Sequence, residues 1–267
     1  GIRDSSTSRG LGDVYKRQVI FLINIDLNVL ETCSSTNDIA KNEAIKGSLE
    51  GSSYLSYSQS NGRGRSKNKW ESLEGNLFLS SIFRPKKDKK DWHQLSLLIG
   101  YTILETLIDF GINRNLIELK WPNDVLIDNK KISGVLLEAF DNFIIVGIGL
   151  NILKTPKNEL KWKTTKLNDH IKNKMSLEQI SHKILNKIFH NYFIWQDEGF
   201  SHFKNNINEH IRNRKKPIIL TFNPFKKRIK GVFLGLGDDG CLQLRVGNST
   251  LDYYSVESIT FPVDDLL

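Results

Sequence analysis

Cysteine is almost missing from this chain: Cys33 and Cys241 are the only two in 267 residues, too few and too far apart for a disulfide scaffold or a thiolate metal site. That usage fits a reducing, cytoplasmic setting. Long apolar runs are missing as well. The best of them, Val19 to Leu30, follows Lys16 and Arg17 as a signal peptide would, but Asn24, Asp26 and Asn28 interrupt it and no small-residue cleavage site follows. Nothing is long enough to span a bilayer. The run reads instead as a strand with Ile23, Ile25, Leu27 and Val29 on one face. Also lacking is a basic helix with interleaved aromatics. The net charge of +8 is spread through stretches such as Arg212 to Lys216 and Pro85 to Lys90, which argues for a lysine-rich composition or an acidic protein substrate rather than for nucleic acid.

What is present is enough apolar material for a core, 39% of the chain, in one large domain or a main domain with a small companion. Residues 1–18 carry Ser, Arg and Gly without a hydrophobic period and are expected to be disordered or a non-native leader. Ser34 to Thr36 can cap a helix that ends at Gly47. Strands are expected at Ser53 to Gln59 and Leu77 to Phe83, and a core helix over Trp92 to Phe110, with Leu95, Leu98, Ile99, Ile103 and Leu107 at helical spacing. From Leu116 the period becomes that of strands: Ile117 to Trp121, Val125 to Ile127, Lys131 to Phe140 and Phe143 to Asn151, with turns at Asp128-Asn129 and Asp141-Asn142, an antiparallel meander. Ser176 and Gln179 open an amphipathic helix running to Trp195, with Gly199 ending it. Beyond Lys216, short runs at Pro217 to Phe222, Ile229 to Leu236, Cys241 to Val246 and Leu251 to Ser255 predict a small β-barrel.

The most unusual stretch is residues 59 to 70, Gln-Ser-Asn-Gly-Arg-Gly-Arg-Ser-Lys-Asn-Lys-Trp. Gly62 and Gly64 free the backbone for close approach of a ligand, and Arg63 and Arg65 offer forked, permanently charged donors to a carboxylate or phosphate. Taken alone it is as well explained by a solvated basic turn. Its companions change that reading: Ser34-Ser35-Thr36-Asn37-Asp38 upstream, then Lys120-Trp121-Pro122-Asn123-Asp124, Asn129-Lys130-Lys131-Ile132-Ser133-Gly134-Val135-Leu136-Leu137-Glu138, and Gly147-Ile148-Gly149-Leu150-Asn151 downstream.

In this order, from about Val19 to Leu267, these motifs closely resemble the catalytic domain of biotin protein ligases, enzymes that attach biotin to a lysine of a carrier domain. The resemblance implies an α+β fold: a mixed-sheet catalytic domain with flanking helices over residues 19–213 and a Src-homology-3-like barrel over 214–267. It implies ATP-dependent activation of biotin as biotinyl-5'-AMP and transfer to a biotin carboxyl carrier protein of a biotin-dependent carboxylase. The residues before Val19 are too few for the winged helix-turn-helix that some members carry, so no repressor function is expected. A homodimer through the catalytic sheet is compatible with the family. No membrane partner is expected.

By similarity, Ser35, Thr36, Asn37 and Gln59 face the ureido ring of biotin, with Arg63, Gly64, Arg65, Lys131 and Gly134 completing the biotin site. For Ser35 and Thr36, helix capping is the competing role. Arg63 and Arg65 would close over the acyl-adenylate as a lid that orders with ligand; Trp70 and Asn151 would hold the adenine. Lys131, rather than the turn residue Lys130, matches the family lysine at the acid and α-phosphate and ranks first for catalysis, with Arg65. Asp124 is the candidate Mg2+ ligand, although an Asp after Pro-Asn also forms turns. One departure stands out. Family loops commonly carry a further Gly-Arg before the Trp, where this chain has Lys67-Asn68, which puts a third arginine contact in doubt. Lipoate attachment is the related alternative, against which the 120–124 segment argues, and a basic RNA-binding module is the rival from another class.

Overall fold

The computed structural model describes residues 25–156, 163–222 and 227–261. The expected disorder at 1–18 and the first part of the Val19 to Leu30 run lie outside them. Twelve strands and four α-helices follow in the order β1 Leu27–Leu30, α1 Thr36–Ile45, β2 Ser53–Ser56, β3 Leu77–Phe83, α2 Gln94–Asp109, β4 Ile117–Lys120, β5 Asp124–Ile127, β6 Lys130–Ala139, β7 Ile144–Leu150, α3 Leu177–Glu198, α4 Ser201–His210, β8 Pro217–Phe222, β9 Lys227–Leu236, β10 Leu242–Val246, β11 Ser249–Tyr253 and β12 Ser258–Thr260.

The first seven strands form one mixed sheet in the order β1-β2-β3-β7-β6-β5-β4. Only β1 and β2 run parallel; β4 to β7 make the expected antiparallel meander. Its second hairpin, β5–β6, turns on Asp128 and Asn129 with φ of 49° and 61°, the left-handed pair that lets a two-residue turn follow the twist of its strands. Of the described part of the run ending at Leu30, Leu27–Leu30 is strand, and Val29 is 42% exposed rather than buried. Among the described residues β1 is the outermost strand of the sheet.

Alternation along the strands assigns two faces. Leu77, Leu79 and Phe83 of β3, with Val146, Ile148 and Leu150 of β7, enter the large core built against α2 and α3. Ile82 and Ile145 point the other way, where Ala40 and Ala44 of α1 cover them. Helix α1 packs mainly on β2, β3 and β7 and touches β6 through Asn37 and Glu138, so most of that face over β5 and β6 is left for a cleft. Ser176 caps α3 in a complete capping box with Gln179, and Gly199 ends it at φ +80°.

Helix α4 has no counterpart in the sequence reading, because only Phe203 and Ile207 supply its large buried apolar side chains among polar residues. The three-residue β12 is likewise too short to leave a pattern. The C-terminal strands pair as an antiparallel sheet, β11-β10-β9-β8-β12. Among the described residues no ladder joins β11 to β12, so the sheet is open where a closed barrel was expected. Ile218, Leu220, Phe233, Leu236, Leu242 and Leu244 of this sheet belong to the same buried cluster as α2 and α3. No helix among the described residues is long and apolar enough to cross a membrane.

Candidate active site

The uncovered sheet face carries a hole in its side-chain layer. Gly134 of β6 stands opposite Gly149 of β7, and Leu136 opposite Gly147. A Cβ at Gly149 would collide with the indole of Trp70, and one at Gly134 would lie 3.1 Å from both Trp70 Cζ3 and Lys131 Nζ. At Gly147 it would collide with the Asn37 amide. The Gly-Ile-Gly spacing thus puts two bare backbone positions on one face, and two polar-tipped side chains from elsewhere lie directly on the sheet.

Ser35, Thr36 and Asn37 at the start of α1 are all buried. The capping alternative fails for Ser35, whose side chain makes no cap bond; its Oγ accepts from Arg63 Nη1 at 3.2 Å. Gln59 Oε1 accepts the Thr36 N–H at 2.8 Å and the Thr36 hydroxyl at 3.1 Å, while its Nε2 donates to Ser72 Oγ at 3.2 Å. Ser80 Oγ lies 2.7 Å from Thr36 Oγ1 and donates to Asn37 Oδ1 at 2.6 Å. Asn37 Nδ2 donates to Glu138 Oε2 at 2.7 Å. A continuous polar chain therefore runs from Ser72 to Glu138, as a buried polar group requires if it is to avoid the desolvation cost of an unmade bond.

The glycine-arginine loop closes on itself at its base, where the Trp70 N–H donates to Gly62 O at 3.0 Å. Gly62 has no room for a Cβ, which would come 2.7 Å from Trp70 O; Gly64 has room, with Asn68 O at 3.7 Å. Residues 65–67 form a single 3-10 turn with Ser66 at φ +54°.

The two arginines differ sharply. Every N–H direction of the Arg63 guanidinium meets an acceptor: Nε and Nη2 reach Glu138 at 3.1 and 2.8 Å, Nη2 and Nη1 reach Asp38 at 2.8 and 3.0 Å, and Nη1 also reaches Ser35. Burial works against this charge, but the two carboxylates outweigh it and hold the guanidinium above its ordinary pKa. Arg65 makes only two long bonds, 3.4 Å to Asn123 Oδ1 and 3.4 Å to Val256 O. Burial lowers its pKa, and the charge of Asp124 only partly restores it.

Lys131 and Asp124 form a close ion pair in the cleft, 2.6 Å, with about a fifth of each side chain or less exposed. Lys131 Nζ also stands 5.3 Å from the centre of the Trp70 ring, a cation–π distance. A bulge at Ile132, unpaired between Lys131 and Ser133 in the β5–β6 ladder, sets this direction. Lys130, which also lines the cleft, meets Asp128 in the turn at 3.6 Å. Asn151 is buried, and its Nδ2 donates to the carbonyls of Thr165 at 3.1 Å and Lys131 at 3.5 Å. In this state it ties a strand end to the 163–165 segment.

Most of these groups, though not Asp38, Ser72, Ser80 or Glu138, line one open cleft of about 1770 Å³, which also takes in Lys69, Lys163, Lys216 and the Val256 to Phe261 segment of the C-terminal sheet. Of the expected site residues, Ser35, Thr36, Asn37, Gln59, Arg63, Gly64, Arg65, Trp70, Asp124, Lys131, Gly134 and Asn151 all line it. No cluster of three or more His, Cys, Asp or Glu side chains that could hold a metal occurs among the described residues, so Asp124 offers a single carboxylate and that one faces Lys131. Asp38 and Glu138 had been legible only as motif members, with no sign that they grip Arg63. Ser72 and Ser80 lie outside the motifs, Ser80 within the expected strand Leu77 to Phe83, and nothing local marks either as part of the site.

The geometry has known counterparts. Residues 29–151 match the Biotin/lipoate A/B protein ligase family. The chain is 28% identical over 241 residues to the Bifunctional ligase/repressor BirA of Bacillus subtilis, covering 85% of this chain and 71% of that protein. It is 30% identical over 135 residues to a biotin--[acetyl-CoA-carboxylase] ligase of Mycobacterium tuberculosis, covering 49% of this chain and 51% of that protein. The solved structure of a biotin protein ligase from Aquifex aeolicus in complex with biotin and ATP superposes with a TM-score of 0.78 at 29% identity, covering 88% of this chain and 99% of the other. With the mixed sheet, the polar chain and the glycine-arginine loop in place, residues 29–151 are a domain that matches the biotin/lipoate A/B protein ligase family, within a chain whose fold is similar to that of the Aquifex aeolicus biotin protein ligase.

Proposed function

We propose that the protein activates biotin with ATP and transfers it to a lysine of a biotin carboxyl carrier domain. The observation that carries this reading is the convergence of Lys131, Arg65 and Trp70 on a cleft whose floor is a ready-made chain of amide-reading groups. Ser35, Thr36, Asn37 and Gln59 supply donors and acceptors for the ureido ring, and Gly64 and Gly134 leave room for the acid's chain. A carboxylate oxygen of biotin attacks the α-phosphorus of ATP, the bond to pyrophosphate breaks, and biotinyl-5'-AMP forms. The lysine amine of the carrier then attacks the acyl carbon, AMP leaves, and the nitrogen loses a proton.

Both steps build negative charge on the α-phosphate oxygens, which a preorganised cation stabilises in proportion to how little it must move. Lys131 is placed for that work. Its present partner Asp124 holds the ammonium in the cleft, and substrate phosphate would compete for the same group. Arg65, weakly held and desolvated, is the guanidinium free to swing onto phosphate, while Trp70 and Asn151 bound the adenine region. If Mg2+ accompanies the nucleotide, Asp124 is its one carboxylate here, and phosphate oxygens and water must supply the remaining ligands. The C-terminal sheet, from about residue 214, is read as the family's small barrel closing one side of the cleft.

The test is incubation with biotin, MgATP and a carrier domain, with transfer scored by intact mass, beside pyrophosphate exchange driven by biotin or by lipoate. Biotin-dependent exchange and a biotinylated carrier are expected. Exchange with lipoate alone would move the protein to the lipoate branch of the family, and salt-sensitive RNA binding without exchange would sink the reading.

A further inference from the structure

Two near-identical arginines, one residue apart from each other's neighbours in a Gly-Arg-Gly-Arg loop, are treated oppositely by the fold. We infer that Asp38 and Glu138 are positioning residues of this site: together they clasp Arg63, fix the base of the glycine-arginine loop to helix α1 and strand β6, and so leave Arg65 as the loop's only guanidinium able to meet the acyl-adenylate. The inference rests on the function proposed above and deepens it.

The geometry is specific. Arg63 has five N–H donors, and its five hydrogen bonds run to Asp38, Glu138 and Ser35. No donor direction remains for a phosphate unless a carboxylate lets go. The pairing with Asp38 is bidentate across Nη1 and Nη2, and that with Glu138 is bidentate across Nε and Nη2, the fork-to-carboxylate arrangement that adds directional constraint to charge. Glu138 does a second task with the same carboxylate, since its Oε2 also accepts from Asn37 Nδ2. A carboxylate can only accept here, so it turns the Asn37 amide with nitrogen toward β6 and oxygen toward Ser80. One residue thereby orients both the end of the biotin-reading chain and the hinge of the loop.

The loop's ends fit this division. Its base is doubly held, by the Arg63 clasp and by the Trp70 N–H on Gly62 O. Its tip, from Gly64 to Asn68, is tied by one backbone bond on each side, Gly64 N–H to Asn68 O and Asn68 N–H to Arg65 O, and by the two long bonds of Arg65. A loop hinged at a fixed base with a yielding tip returns to the same closed geometry each time, which shelters a hydrolysable mixed anhydride better than a segment loose along its whole length.

The experiment measures escape of preformed biotinyl-5'-AMP from the full-length protein, by filter retention and by AMP released without carrier. Glu138→Gln and Asp38→Asn keep size and remove charge; each should raise escape by about tenfold, the scale of a lost charge-assisted hydrogen bond. The single-turnover rate of adenylate formation at saturating substrates should change less than escape. Arg63→Gln combined with Glu138→Gln should be no worse than Arg63→Gln alone, whereas Arg65→Gln should add to Glu138→Gln. Unchanged escape in either folded carboxylate variant, or a fully additive Arg63 and Glu138 pair, overturns the inference. Hydrogen exchange of the wild type without ligand needs no variant: slow exchange at the Trp70 amide with fast exchange at the Asn68 amide is expected, and equal rates overturn it. A wild type that forms no adenylate would defeat the functional reading instead, and the exchange measurement would still judge the clasp.

Discussion

Lys131 Nζ rests 2.6 Å from Asp124 Oδ1, the two residues reaching each other across the β5–β6 hairpin beside the Trp70 ring. The pair is largely desolvated, which strengthens the attraction but also makes each partner costly to strand alone. In the absence of phosphate, the carboxylate keeps the ammonium aimed into the cleft.

Replacing Lys131 by Gln should act on chemistry and also cost some stability, because it strands the Asp124 carboxylate. Loss of one preorganised charge donor lowers adenylation by about 10²- to 10³-fold, read as biotin-dependent pyrophosphate exchange, with biotin affinity by calorimetry changed far less. Asp124→Asn should cost less, about tenfold, because the lysine persists but is no longer aimed. Equal rates for Lys131→Gln and the wild type would remove this residue from the mechanism.

The bare backbone at Gly149 gives a steric prediction. Any side chain there meets the indole of Trp70, so Gly149→Val must push the ring off the sheet and away from Lys131. The expected result is a KM for ATP raised by about tenfold or more, the scale of a lost aromatic contact, with a smaller change in KM for biotin. Quenching or shift of Trp70 fluorescence on adding ATP should disappear in the same variant. A KM for ATP that stays put would mean that the ring is only packing.

Much of this was legible in the sequence, and the reason is periodicity. The α2 stripe, the 116–151 meander and the Ser176 capping box each repeat a local rule over enough residues to declare themselves, and the Gly-Arg-Gly-Arg and Lys-Ile-Ser-Gly segments pointed to a loop and a lysine that the fold brings to one cleft. What stayed hidden depends on contacts distant in sequence. Arg63 and Glu138 are 75 positions apart, and no local pattern distinguishes an arginine that reaches for phosphate from one already saturated by carboxylates. Helix α4 hid because its burial needs only Phe203 and Ile207, and the openness of the C-terminal sheet is set by pairing, which short strands do not encode.

A pH signature should come from Tyr57 and Glu178, which join the loop after β2 to the first turn of α3. The Tyr57 hydroxyl, with a smaller contribution from Ser176, holds the Glu178 carboxyl below its ordinary value, and the Glu178 partner in turn raises the Tyr57 hydroxyl above its own. For the acid, the folded pKa is depressed, so its contribution is present above the unfolded value near 4.5 and is lost as pH falls through the folded pKa. For the phenol, the folded pKa is raised, so its contribution is complete below the unfolded value near 10 and is lost as pH rises through the folded pKa. Tyr57→Phe should flatten the melting temperature profile at both ends, below about pH 5 and above about pH 10, while leaving the plateau between them nearly level. Identical acid limbs for the two proteins would show that the contact does not persist in solution.

The capping box of α3 separates stability from catalysis. Ser176 Oγ accepts the Gln179 N–H at 3.2 Å, and Gln179 Oε1 accepts the Ser176 N–H at 2.9 Å, so two donors at the helix start are satisfied reciprocally. Ser176→Ala removes one of the two bonds and loosens the other, at a cost of about 1 kcal/mol. For a chain of this size that corresponds to a fall in melting temperature of roughly 2–4 °C. Helix α3 packs on α2 and on the face of the sheet opposite the cleft, and its first turn meets the segment before Gln59 through Glu178 and Tyr57, so fraying should leave Lys131 in place. Pyrophosphate exchange at 25 °C should match the wild type while the thermal midpoint drops. A parallel loss of exchange in the folded variant would mean that the far side of the sheet transmits strain to the cleft, and that the two faces are not as independent as their separate cores imply.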